Sequence, residues 1–194
     1  KVLSVGEQER RDPMCRLNKA LLDSGAIGDP YSFLLGSARG GNDIIIWPWR
    51  HYKNIGGIFV DAGVHAVDQM MYYLGDIEEV YAVSKVWEPK RYKGEKIGVA
   101  HFYEHWASEV PDEIDATAED MVISTLKFKN GAVGQWTSFW AAHGETTEYA
   151  MIYGSKGSMA PAKQRRGNPL KLTIDGVGVV SGDDVLELVP DFHL

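Results

Sequence analysis

After the second helix, at Gly75-Asp76, the apolar period of this chain switches from 3.6 to 2, and that switch limits the folds open to it. Upstream, apolar residues recur at helical spacing. Downstream, they alternate with polar ones at a spacing of two, as residues of a pleated strand do. Asp12 is placed to cap a first helix, Pro13 suits its first position, and Met14, Leu17, Ala20 and Leu21 share a face before Gly25 supplies a left-handed exit. A strand at 31–36 and a Gly-rich loop at 38–43 follow. A second helix is expected over about 58–74, entered through Gly56-Gly57. Beyond the switch, strands are expected at 79–87, 121–128, 132–141, 148–153, 170–174 and 185–189, with Asn130-Gly131 as a hairpin turn and Gly154-Ser-Lys-Gly157 as another. Helices first and strands afterwards imply an α+β fold, an open and mainly antiparallel β-sheet with helices packed on one face. Residues 90–119, rich in charge and aromatics, carry no pattern that assigns them.

Twenty lysines and arginines against twenty-seven acids leave a formal charge of −7, which disfavours nucleic acid or an anionic membrane as partner. The one basic cluster, Lys163-Gln-Arg-Arg166, reads as a solvated loop. A single cysteine, Cys15, suits a reducing compartment, and no apolar run approaches the ~20 residues of a membrane span, so a cytoplasmic location is expected. Both ends read as cut: the chain opens inside a strand-like run at Lys1–Val5 and closes at Leu194 without a terminating feature.

The segment from Gly56 to Leu74 carries the chemistry. On a wheel of about 100° per residue, Asp61, His65, Asp68 and Tyr72 fall on one narrow stripe, and nearly everything else is apolar or small. A helix apolar nearly all round is expected to be buried nearly all round. Two carboxylates and an imidazole cannot sit there unpartnered. Either they satisfy one another as a structural cluster, with Asp61 pairing His65 four residues on, or they line a cavity that holds a ligand. In the second case His65 is a general acid/base, since an imidazole changes charge near neutral pH. Gly56-Gly57 would let a ligand approach the backbone closely.

Gly56-Gly57, Asp61, His65 and Asp68 form G-G-x-x-x-D-x-x-x-H-x-x-D, which resembles the signature helix of the glucose–fructose oxidoreductase/inositol dehydrogenase (Gfo/Idh/MocA) family. Arg10-Arg-Asp-Pro13 with Asp23-Ser-Gly-Ala-Ile-Gly-Asp-Pro30 is similar to the segment joining that family's two domains. Glu119-Asp-Met-Val122 followed by Phe128-Lys-Asn-Gly-Ala-Val-Gly134 resembles its central hairpin. The resemblance covers residues 1 to about 160. It implies an NAD(P)-dependent oxidoreductase of sugars, inositols and related polyols, with an N-terminal Rossmann domain and a C-terminal domain on an open sheet. Residues 1–194 would then be one substrate-binding and oligomerisation domain, without the Rossmann domain that binds most of the NAD or NADP and without the C-terminal end. By the resemblance, His65 takes the hydroxyl proton and Asp61 lies beside it as its orienting partner. Trp49, Arg50, Lys53 and Asp68 belong to the substrate side, and Gly56 and Gly57 to the cofactor side. The family's Glu-Lys-Pro lysine is absent, so the chain alone is expected to be inactive.

Three other features compete. Gly176-Val-Gly-Val-Val-Ser-Gly182 has the wrong spacing for a dinucleotide loop and no helix after it, and reads as a hairpin connection. His101-Phe-Tyr-Glu104-His105 matches H-x-x-E-H; on an α-helix both imidazoles would share a face and could hold zinc, as in a hydrolase. Trp136, Phe139 and Trp140 either fill the core under the helices or form an apolar sheet face through which copies of the chain pair as a homo-oligomer, making it a binding or assembly module.

Overall fold

The computed structural model describes residues 1–94, 101–162 and 170–193, with the backbone alone at 101–104. Helix α1 (Pro13–Asp23) starts where the sequence places it: Asp12 accepts a hydrogen bond from the Met14 N–H at 2.9 Å, and Gly25 leaves at φ +73°. Its inner face buries Cys15, Leu17, Leu21 and Leu22. Asn18, on the same face and fully buried, donates to Tyr73 Oη and the Ala162 carbonyl, both at 2.9 Å, and so avoids the penalty of an unpaired polar group.

The expected second helix is two. Helix α2 (Gly57–Asp61) and helix α3 (Gly63–Leu74) meet at Ala62, where the next residue presses on the sheet. A Cβ on Gly63 would come within 2.8 Å of the Trp136 ring, so only glycine allows this approach. Burial is also narrower than expected. Ile58, Gly63, Met70, Tyr73 and Leu74 face inward, while Val60 and Val64 are 68% and 48% exposed.

The strands are β1 (Pro30–Gly40), β2 (Ile77–Lys85), β3 (Lys90–Tyr92), β4 (Glu113–Asp115), β5 (Met121–Phe128), β6 (Val133–Ala142), β7 (Thr147–Gly154), β8 (Gly157–Ala160), β9 (Lys171–Ile174) and β10 (Gly178–Ser181). Eight form one sheet in the order β10-β9-β8-β7-β1-β6-β5-β2, antiparallel except where β1 runs parallel to β6. The class is therefore α+β with a mainly antiparallel open sheet. β5 shows why: Val122, Ser124, Leu126 and Phe128 are buried toward the helices, and alternate residues face away. Asn130-Gly131 makes the β5–β6 turn, and the Asn130 amide donates to the Leu74 carbonyl at 2.9 Å, tying the hairpin to the end of α3.

The glycine cluster at 176–182 holds the hairpin turn between β9 and β10 and β10 itself. The strand expected at 185–189 is instead a 3₁₀ helix, Gly182–Leu188, because β10 already occupies the sheet edge and Val185 turns into the main core. The segment 90–119 supplies β3 and β4, paired antiparallel, and a 3₁₀ helix at His101–Glu109. Lys163–Arg166 lie outside the described residues. Register sorts the three aromatics: Trp136, aligned with Leu35 and Ser124, shares the helix side with Trp140, while Phe139 aligns with Met121 on the opposite face, which also carries exposed Ile123 and Tyr81. No described helix is long and apolar enough to cross a membrane.

Candidate active site

Between α3 and the helix side of the sheet lies a cleft of about 380 Å³. Its floor is Leu35, Ser37, Trp136 and Ser138 from the parallel strands, and its wall is His65, Ala66 and Gln69. Arg39 lies over the Trp140 ring at 4.5 Å at the same cleft, and the buried Trp140 indole N–H has no acceptor among the described residues. Glu148 and Glu9 complete the polar lining. Indole faces beside carboxylates, hydroxyls and a guanidinium suit a small polar ligand with several hydroxyls.

Each member of the α2–α3 stripe has a partner. Asp61 meets Arg50 at 2.6 Å, and Arg50 also lies 5.5 Å over the Trp49 ring. His65 Nδ1 lies 2.8 Å from Glu7 Oε2. Asp68 takes both nitrogens of an Arg10 fork, one at 2.9 Å, and Arg10 stands 5.3 Å over Tyr72. The orienting pair expected between Asp61 and His65 is thus replaced by two other pairs, because Arg50 and Glu7 offer each group an opposite partner. Of the catalytic, substrate-side and cofactor-side residues expected from the sequence, His65 alone lines the cleft. Asp61, Trp49 and Arg50 cluster together, and Lys53 is two-thirds exposed and bound to Glu119 at 2.5 Å. His65 is paired without being sealed: its side chain is 36% exposed, at the cleft wall.

Gly56 and Gly57 take φ of +114° and +73°, backbone that favours glycine. Gly57 is required for packing as well, since a Cβ there would sit 2.6 Å from the Ala118 Cβ. Gly56 leaves more room, with Val60 at 3.4 Å.

Glu7 and Glu9 escape a reading by local pattern, because they meet His65 only through the fold. Burial pushes the Glu9 carboxyl above its usual range, His65 opposes that, and Glu7 and Asp68 add to it. Behind the cleft, His51 is buried and its Nε2 accepts from the Ile45 N–H at 2.9 Å. Burial, with Arg91 and Arg50 nearby, brings its pKa down to about 4, so it is a neutral structural imidazole. At His101–Glu109 the backbone is 3₁₀ rather than α, and at three residues per turn positions 101 and 105 fall about 120° apart instead of on one face. Among the described residues no group of three or more His, Cys, Asp or Glu could hold a metal.

The chain is 29% identical over 172 residues to levoglucosan dehydrogenase of Pseudarthrobacter phenanthrenivorans, covering 81% of this chain and 41% of that protein. It is 26% identical over 158 residues to myo-inositol 2-dehydrogenase of Thermotoga maritima, covering 80% and 40%. It thus spans about two-fifths of the length of these curated relatives. The structure of levoglucosan dehydrogenase in complex with NADH and L-sorbose superposes with a TM-score of 0.67 at 26% identity, over 89% of this chain and 45% of that one. An oxidoreductase from Thermotoga maritima superposes with a TM-score of 0.64 at 25% identity, over 99% and 51%. Residues 16–160 match the GFO/IDH/MocA C-terminal domain, and with that match over most of its length the chain belongs to the Gfo/Idh/MocA family.

Proposed function

We propose that this chain is the substrate-binding domain of an NAD(P)-dependent oxidoreductase that acts on a hydroxyl of a sugar or polyol. One observation carries the reading: an imidazole, His65, stands at the wall of a cleft of about 380 Å³ with one ring nitrogen held by protein and the other without a protein hydrogen bond among the described residues. In this reading Nε2 accepts the hydroxyl proton as the carbon is oxidised, and returns it in the reverse direction. The indoles of Trp136 and Trp140 and the hydroxyls of Ser37 and Ser138 hold the carbon skeleton. Asp61, held by Arg50, fixes the stripe one turn before the imidazole, and Asp68 holds the segment that lies over it.

A nicotinamide, when bound, supplies the hydride acceptor. Neither glycine-rich run is a strand–loop–helix that could cradle a pyrophosphate: the loop at 38–43 leads from β1 into 3₁₀ turns, and Gly176–Gly182 is a hairpin turn with β10. The chain's own contact with the cofactor is therefore limited to the nicotinamide end, where Gly56 has the freer surface. We assign the dinucleotide's anchorage to a separate Rossmann domain of the complete protein, and expect residues 1–194 alone to be inactive. The short coverage of the dehydrogenases named above supports this division. The exposed apolar side chains of the helix-free sheet face, Tyr81, Val83 and Ile123 among them, support a homo-oligomer formed through that face. The one free and buried cysteine supports a cytoplasmic protein.

The test is His65→Ala in the complete protein. Turnover of a polyol substrate should fall roughly 10²–10⁴-fold with cofactor affinity nearly intact. Unchanged turnover overturns the reading.

A further inference from the structure

The two nitrogens of an imidazole have different tasks, and the fold assigns them here. His65 Nδ1 faces Glu7 Oε2 at 2.8 Å. An ionised carboxylate only accepts hydrogen bonds, so Nδ1 carries the proton and Nε2 keeps its lone pair. Asp61 cannot set this tautomer, because its carboxylate is held by Arg50 at 2.6 Å. We infer that Glu7 is the positioning residue of His65, delivered by the segment Glu7–Arg10, which lies along α3 as a strap. The inference rests on His65 being the acid/base of the cleft.

The strap is fixed at several points. Glu7 binds His65 through Oε2, and its Oε1 accepts the Glu9 N–H at 3.0 Å, so both carboxylate oxygens are used. Arg10 grips Asp68 through two nitrogens and lies over Tyr72. His65, Asp68 and Tyr72 follow one another along the same stripe of α3, so the Arg10 clamp sets the position at which Glu7 meets the ring. A bidentate guanidinium–carboxylate pair is suited to that, because its two parallel bonds fix orientation as well as distance. Glu9, next on the strap, turns toward the cleft and adds a second carboxyl beside His65.

The test is a long-range ¹H–¹⁵N spectrum of the complete protein labelled at histidine, which reads which nitrogen of His65 is protonated. The neutral ring should carry its proton on Nδ1. Glu7→Ala should move it toward Nε2, Glu7→Gln should retain it because the amide oxygen still accepts, and Asp61→Asn should leave it in place. In the same variants, kcat should fall roughly 10–100-fold for Glu7→Ala with KM nearly unchanged, the size typical of groups that orient metal-bound imidazoles. Glu7→Gln should restore part of that loss. A wild-type ring protonated on Nε2 overturns the inference without any variant having to fold. So does a tautomer that follows Asp61→Asn and ignores Glu7→Ala. Normal turnover in His65→Ala would overturn the acid/base reading instead, and the tautomer would still report on Glu7.

Discussion

Arg91 meets Asp120 at 2.7 Å with both side chains fully withdrawn from water, at 0% and 2% exposure. The pair joins segments far apart in the chain. Arg91 also donates to the carbonyls of Gly41 and Trp140 at 2.9 Å, and Asp120 accepts from the Trp87 and Glu88 N–H groups at 2.8 and 2.9 Å. It therefore anchors the loop after β1, the end of β6 and the start of the 90–119 segment behind the cleft.

Removing one partner leaves a buried charge. Asp120→Ala should cost about 3–5 kcal/mol, the usual penalty for breaking such a pair, read as a lower denaturant midpoint. Lys129→Ala, which deletes an ion pair exposed on both sides, should leave the midpoint almost unmoved. Equal shifts in the two variants would show that the buried pair has no special role.

His51 should set part of the acid limb of stability. Its pKa is near 6.5 in an unfolded chain and about 4 in the fold, so between those values the unfolded state binds more protons. Stability should fall as pH drops from about 6.5 to about 4, where protonation breaks the bond from the Ile45 N–H. His51→Gln should flatten that limb in urea titrations at stepped pH. An unchanged limb would contradict a buried neutral ring.

Glu9 should act with the opposite sign. Its carboxyl is raised above 4.5 by burial first, so the folded state holds a proton that the unfolded state has released. The group's contribution is fully present below pH 4.5 and is lost as pH rises through the folded pKa. Glu9→Gln should match the wild type at low pH and exceed it in stability above that range. A variant less stable at neutral pH would mean that the carboxylate has a favourable partner.

Local chemistry made much of this legible. The Asp12 cap, the 121–128 strand and the Asn130-Gly131 turn depend on neighbours in sequence, and each stands where the pattern puts it. Val185-Leu-Glu-Leu-Val189 alternates like a strand, but alternation cannot reveal that β10 already holds the edge. The break at Ala62 follows from the approach of Gly63 to Trp136, a contact between distant parts of the chain. Glu7 was invisible for the same reason: nothing near it in sequence points to His65. The polar stripe itself was readable, because helical period is local; its partners were not.

The placement of β1 has a consequence for how the molecule assembles. This early strand lies between β6 and β7, with Ser32 aligned to both Val133 and Tyr153. Its hydrogen-bonding edges therefore stay open until most of the described chain has been synthesised, and Phe33, which ends fully buried, must wait in the meantime. Pairing at such sequence separation makes folding slow and leaves sticky intermediates. Yield during expression should therefore be governed by how long that strand remains uncovered on the ribosome rather than by the stability of the finished sheet.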